Sequence, residues 1–246
     1  MEYTALELAY FVAAALVTAT LHSVGGFAGA LLLAIALAPV LGVKETVPVV
    51  ATAMMISHAS RVWLFRKTVD WGAFWLLFCF GLPFIVLGVL FYVELSDRAV
   101  ALLLGTILLI GIPMRRFLKH KDVGIPRWAL AVVAVPYGFL SGTSFGVGMV
   151  LAPFLLGAGI FGEQLLATTA VLGLMLNVTK TVAFGISPLL TAELAVLGVA
   201  LGVCTIPGHA LGRQIVRQTS LRVHTIMLEA FVITGAIYML WKGWVG

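Results

Sequence analysis

The sequence predicts an all-α integral membrane protein: two inverted-topology repeats of about five hydrophobic segments, each opening with a glycine-broken helical hairpin. Three observations lead there. Of 246 residues, 62% are apolar and only 10% are Asp, Glu, Lys or Arg, with a mean hydropathy of +1.13. A soluble domain carries about 25% charged residues, so this chain lacks the charge to cover a water-facing surface and lipid must solvate most of it. Apolar stretches long enough to be membrane segments recur along the chain, with basic residues at their ends. Finally, glycine and proline spacings of the first half return in the second, while the basic loops change places.

The segments follow in order. A span needs about 20 apolar residues, and the stretch from Leu6 to Leu41 is too long for one. It divides at a glycine-rich break, His22-Ser23-Val24-Gly25-Gly26-Phe27-Ala28-Gly29. Segments from Val47 to Leu64, Trp71 to Val93 and Ala99 to Met114 complete a first repeat, residues 1–114. The polar stretch 115–127, with Lys119, His120, Lys121 and Asp122, reads as a cytoplasmic linker. The second repeat, 128–246, opens with Trp128 to Leu140 and Phe145 to Ile160 around the break Ser141-Gly142-Thr143-Ser144. Leu165 to Phe184, Leu189 to Leu211 and Val223 to Trp241 follow. The N-terminus lacks the basic region of a signal peptide, so the first segment is expected to be retained.

At an offset of 117, Gly25, Gly29, Gly42, Thr52 and Ala53 match Gly142, Gly146, Gly159, Thr169 and Ala170. At 124, Pro83, Gly88, Ser96, Arg98 and Gly111 match Pro207, Gly212, Ser220, Arg222 and Gly235. Arg61, Arg66 and Lys67 follow the third segment, whereas the loop after Phe184 is uncharged. Conversely, Arg213, Arg217 and Arg222 lie where the first half has the nearly balanced Glu94, Asp97 and Arg98. With basic loops inside, ten segments with both termini outside fit all three basic regions. Five segments per half, or three if each opening pair is re-entrant, make the second half inverted. The net charge of +5 is thereby explained by topology, and no nucleic-acid partner is expected. Cys79 and Cys204 form no Cys-x-x-Cys pattern and indicate neither a disulfide framework nor a metal site.

The run Gly138-x3-Gly142-x3-Gly146-x-Gly148-x4-Pro153-x5-Gly159, followed by Ala167-Thr168-Thr169, resembles the signature of the sulfite exporter TauE/SafE family. The first half resembles it through Gly25-Gly26, Gly29, Gly42, Ala51-Thr52, Arg66-Lys67 and Asp70-Trp71, without the proline. The resemblance implies a multi-pass plasma-membrane permease for small anions such as sulfite, thiosulfate or sulfonated organic acids.

The breaks carry the first site expectation. Unpaired backbone groups in a bilayer cost several kcal/mol unless protein or enclosed water satisfies them. A helix starting after each break would aim its N–H groups and about half a positive charge at the gap, a ready anion site. The other reading is a turn at the membrane face or a close helix contact. The break residues are His22, Ser23, Gly25, Gly26 and Gly29, then Ser141, Gly142, Thr143, Ser144 and Gly146. Thr52, Ser60, Thr169, Asn177 and Lys180 complete the candidate substrate-binding set, as polar groups of the third and eighth segments. Lys180 shares a helical face with Thr169 and Gly173, and either attracts anions to a pathway or snorkels to the interface. The Thr52/Thr169 and Ser60/Asn177 pairs line a pathway or hydrogen-bond helices together. His22 binds an anion when protonated or relays a proton. His58 and His209 read as structural, Arg61, Arg66 and Lys67 as topology determinants, and Glu229 as a minor candidate.

No phosphate loop, zinc-binding helix or nucleophile–base pair stands out. The sequence thus predicts a secondary transporter or facilitator, not an enzyme, with no cofactor. Its partners are the lipid bilayer and a small anion; proton coupling and a homo-oligomer are compatible with it. Alternatives are a cation permease, disfavoured by the scarcity of membrane acids, an intramembrane enzyme, or a scaffold.

Overall fold

The computed structural model describes residues 3–25, 29–119, 124–145, 147–216 and 221–245, some of them as backbone only. The helices are α1 (Ala5–Gly25), α2 (Gly29–Leu41), α3 (Val43–Phe65), α4 (Trp71–Glu94), α5 (Asp97–Lys119), α6 (Ala129–Thr143), α7 (Gly148–Gly157), α8 (Gly162–Ile186), α9 (Ala192–Val216) and α10 (Leu221–Val245). No strand occurs among the described residues. Each expected segment corresponds to one helix. The protein is an all-α membrane protein, and among the described residues four helices are long and apolar enough to cross a bilayer by length and composition alone: Ala5–His22, Trp71–Glu94, Gly162–Ile186 and Ala192–Leu211.

Of the boundaries that differ from the sequence expectation, three bear on the breaks and the linker. α3 starts at Val43 rather than Val47, directly after Gly42. α5 runs to Lys119, so residues 115–119 of the expected linker are helical; the first strong helix breakers within that linker are Gly124 and Pro126. α6 continues to Thr143, which moves the second break to residues 144–147. Thr143 and Ser144 keep the chain wound by donating their hydroxyls to the carbonyls of Phe139 and Leu140.

Helix lengths sort the molecule into two kinds of element. α3, α4, α5, α8, α9 and α10 have 23 to 25 residues, about 35–37 Å at 1.5 Å per residue. α2, α6 and α7 have 13, 15 and 10 residues, about 15–22 Å, short of the roughly 30 Å hydrocarbon core. α6 and α7 form a hairpin of two short helices, closed at its open end by the Ile125 N–H bonded to the Gly157 carbonyl. α1 and α2 form the other hairpin, tied by the Tyr10 hydroxyl donating to the Ala36 carbonyl at 2.6 Å.

The helices of one half pack mainly on helices of the other. α6 lies along α4, and α1 along α9. Both pairs are parallel: Gly81 and Gly88 meet Gly138 and Gly142 in register, and Thr20 donates to the Gly208 carbonyl while Tyr3 lies within electrostatic reach of Glu193. α3 crosses α8 antiparallel, with His58 beside Gly173 and the later Asp70 beside the earlier Thr168. α5 and α10 are also antiparallel, Gly105 against Leu240 and Leu102 against Gly243. Exchanging the first five helices for the last five maps each of these pairings onto another or onto itself. The pairing of the two shorter hairpin helices, α7 with α5 and α2 with α10, follows the same exchange.

Glycine chemistry makes these contacts. A Cβ on Gly138 would overlap the Gly81 carbonyl, and one on Gly142 the Ile85 carbonyl, so two of the signature glycines let the α4 and α6 backbones touch. Gly42 and Gly159, matched by the 117-residue offset, both have positive φ, 90° and 83°. Each turns the chain out of the hairpin into the long helix that follows. No atom lies within 4 Å of a Cβ placed on Gly159. Gly159→Ala should therefore cost only backbone strain, about 1–2 kcal/mol, read as a lower melting temperature in detergent.

The outer surface is apolar. Trp63, Trp71 and Trp128 are exposed near one end of the bundle, and Trp241 and Trp244 near the other, as interfacial anchors are.

Candidate functional site

A cavity of about 100 Å³ lies between the halves, several times the roughly 10–15 Å³ that holds one water. Its spine is one face of α8. Thr169, Gly173, Leu176, Asn177 and Lys180 line it, at the three-and-four spacing that puts residues on one helical stripe. From Thr169 to Lys180 is about 16 Å along the axis. α1 contributes His22, α3 contributes Met54, His58 and Arg61, and the second hairpin contributes Tyr137, Ser141, Ser144, Phe145 and Gly148.

Lys180 does not snorkel. It is 4% exposed, and its Nζ donates to the Ser144 carbonyl at 3.1 Å and lies 5.0 Å from the centre of the Phe145 ring. Ser144 is the C-cap of α6, so the ammonium sits where the helix dipole is negative. At the other end stands Arg61. α3 runs antiparallel to α8 with His58 beside Gly173, so Arg61, nearly a turn further on, lies towards Thr169. Its Nη1 is 3.4 Å from His22 Nε2. Among the described lining residues there is no Asp or Glu. Cations at both ends of a wall whose described residues include no acid make an environment that favours an anion.

Several hydroxyl protons are already committed. Ser144 donates to Leu140, and Thr169 to Leu165 and Leu166 carbonyls. One Asn177 amide hydrogen goes to the Gly173 carbonyl at 2.7 Å, which leaves a second. Tyr137 and Ser141 hydrogen-bond one another. His58 Nδ1 is buried without a hydrogen-bond partner among the described residues.

Of the residues expected from sequence, the structure brings His22, Ser141, Ser144, Thr169, Asn177 and Lys180 to the cavity. Gly29 joins them indirectly: its N–H donates to His22 Nδ1 at 2.9 Å. The first N–H of α2 is thus used by a side chain instead of facing the gap. Gly25 ends α1. Gly26 and Gly146 lie outside the described residues, as does the Ser23 side chain.

Four others lie elsewhere. Thr52 packs on Gly198 of α9 and donates to the Pro48 carbonyl. Ser60 bonds the Ser57 carbonyl at 2.8 Å. Gly142 is taken up in the α4–α6 contact. Thr143 is buried and bonded back into α6. Thr52 and Ser60 turn from the cavity although their counterparts Thr169 and Asn177 face it, because α3 presents His58 and Arg61 there instead.

Sequence reasoning assigned Arg61 to topology and His58 to structure, and both line the cavity. The available signal was spacing: Met54, His58 and Arg61 fall on one helical stripe. Arg213, Arg217, Arg222 and Glu229 have side chains outside the described residues. His209 stands beside the cavity, its ring 5.5 Å from that of His22 and its Nε2 2.8 Å from Ser57 Oγ.

Comparison with known families gives a match over residues 11–239 to the model described as Sulfite exporter TauE/SafE. No curated protein and no solved structure matches the chain.

Proposed function

Since the chain belongs to the sulfite exporter TauE/SafE family, we propose that it is a secondary transporter or facilitator that moves small oxyanions, sulfite, thiosulfate or short sulfonates, across the plasma membrane. The cavity between the halves, with Lys180 at one end, Arg61 at the other and no carboxylate among its described lining residues, is the observation that carries this reading. A cation would meet two basic side chains there, which disfavours the cation-permease alternative. The reading requires no catalysis.

The two halves act as inverted repeats in this proposal. Support comes from α3 with α8 and α5 with α10, matched helices that cross antiparallel. Alternating access follows if one set of helices rocks on the other about the central site. Basic loops on the inner side support a topology with both termini outside.

Purified protein in liposomes tests the reading. Uptake of sulfite or thiosulfate, with weak chloride uptake and no Mn2+ uptake, is the expected result. Mn2+ uptake that proceeds without any oxyanion would overturn it.

A further inference from the structure

The hydrogen bond between Gly29 and His22 has a chemical consequence at the other side of the ring. A backbone N–H can only donate, so His22 Nδ1, 2.9 Å from the Gly29 nitrogen, must offer its lone pair and carry no proton. The proton of the neutral imidazole is then on Nε2. Yet Nε2 faces Arg61 Nη1 at 3.4 Å, and a guanidinium is a donor without acceptor capacity. Two donors converge on one place in the cavity wall. Among the described residues that line this wall there is no Asp or Glu.

We propose that an oxygen of the transported oxyanion is the shared acceptor, held by His22 as a neutral Nε2–H donor beside Arg61. This deepens the function proposed above and rests on it. An oxyanion oxygen has several lone pairs and carries negative charge, so it satisfies both donors at once. His22 binds without being protonated. A proton on Nδ1 would oppose the Gly29 N–H, so the α1–α2 hairpin holds the ring in the one tautomer that presents a donor to the cavity. Lys180, at the opposite end, is a separate station for the anion.

Two substitutions divide the two jobs of the ring. In His22→Asn the amide oxygen stands near the place of Nδ1 and can still accept from Gly29, while the donor at the Nε2 position is gone. In His22→Gln an amide N–H reaches near the Nε2 position, while the bond to Gly29 is lost. Binding of sulfite and of thiosulfate to the purified protein is measured by calorimetry, alongside melting temperature. His22→Asn is expected to melt like wild type and bind about tenfold more weakly, as loss of one hydrogen bond to an anion implies. His22→Gln is expected to melt earlier and to keep most of the affinity. The reverse pattern, affinity kept in His22→Asn and lost in His22→Gln, assigns the ring a purely structural role and overturns the proposal.

Nitrogen NMR of histidine-labelled protein supplies a second readout, with His22→Gln identifying the His22 signals. Nδ1 should be unprotonated at neutral pH, and sulfite should shift Nε2. A protonated Nδ1 would also overturn the proposal. Wild-type protein that binds neither oxyanion removes the proposed function and this role together. Wild-type binding that His22→Asn leaves unchanged removes this role alone.

Discussion

Lys180→Met should reduce sulfite uptake in proteoliposomes about ten- to a hundredfold, because a hydrogen bond to a charged group contributes about 1.5–3 kcal/mol and each 1.4 kcal/mol is tenfold in affinity. The side chain is buried in the cavity wall, bonded to the Ser144 carbonyl. Its charge is a cost in the empty cavity, since burying an ion away from water is unfavourable. A bound anion offsets that cost. Methionine is flexible and similar in length, so the variant should fold, with a melting temperature at or above that of wild type. Anion should raise the melting temperature of wild type through mass action and raise that of the variant much less. Uptake equal to wild type would show that Lys180 only caps α6.

Asp70→Ala should destabilise the protein by about 2–3 kcal/mol, the sum of a lost helix cap and a lost buried charge-assisted bond. Asp70 is 7% exposed and holds three elements together. One carboxylate oxygen accepts from the Ala73 N–H at the start of α4. The other accepts from Arg127, just before α6, and from Gln164 in the first turn of α8. Its own N–H donates to Thr168 Oγ1 at 3.0 Å. The Arg127 side chain is 55% exposed, so the ion pair by itself contributes no more than about 1 kcal/mol. Arg127→Ala should therefore be the milder change. Asp70→Asn can keep the cap or the arginine contact but not all three bonds, and should fall between the two. Thermal unfolding in detergent orders them; equal losses in all three variants would mean that the cap, the ion pair and the α8 contact are not separable.

Much of the architecture was legible because lipid imposes it. A backbone in hydrocarbon must satisfy its own hydrogen bonds, so each apolar run had to be a helix and the glycine clusters had to be the interruptions. The match of Gly42 with Gly159 was legible as sequence identity, and positive φ at both explains it. The site was legible along α8, where Thr169, Asn177 and Lys180 share one stripe. It was less legible on α3. Basic residues at a helix end serve topology and binding equally well, and nothing local to Arg61 separates the two.

The glycine runs show the same limit. Gly142 reads as part of an anion-binding break and Gly138 as part of the family signature, yet both serve the α4–α6 contact. Gly208 of α9 makes the corresponding contact with Leu16 and Ala19 of α1. A missing Cβ looks the same in sequence whether it admits a ligand or a neighbouring helix.

The sequence by itself determined the solvent, the helices, their interruptions and the family, because hydropathy, helix-breaking residues and motif spacing are properties of the chain alone. Tertiary structure decided which polar faces meet. His22, Arg61 and Lys180 lie far apart in sequence, and only the crossing of α3 over α8 and the packing of the two hairpins on the long helices bring them to one cavity. Helix rotation is set by packing against neighbours, so the direction of a side chain is a property of the pair of surfaces and not of either strip of sequence.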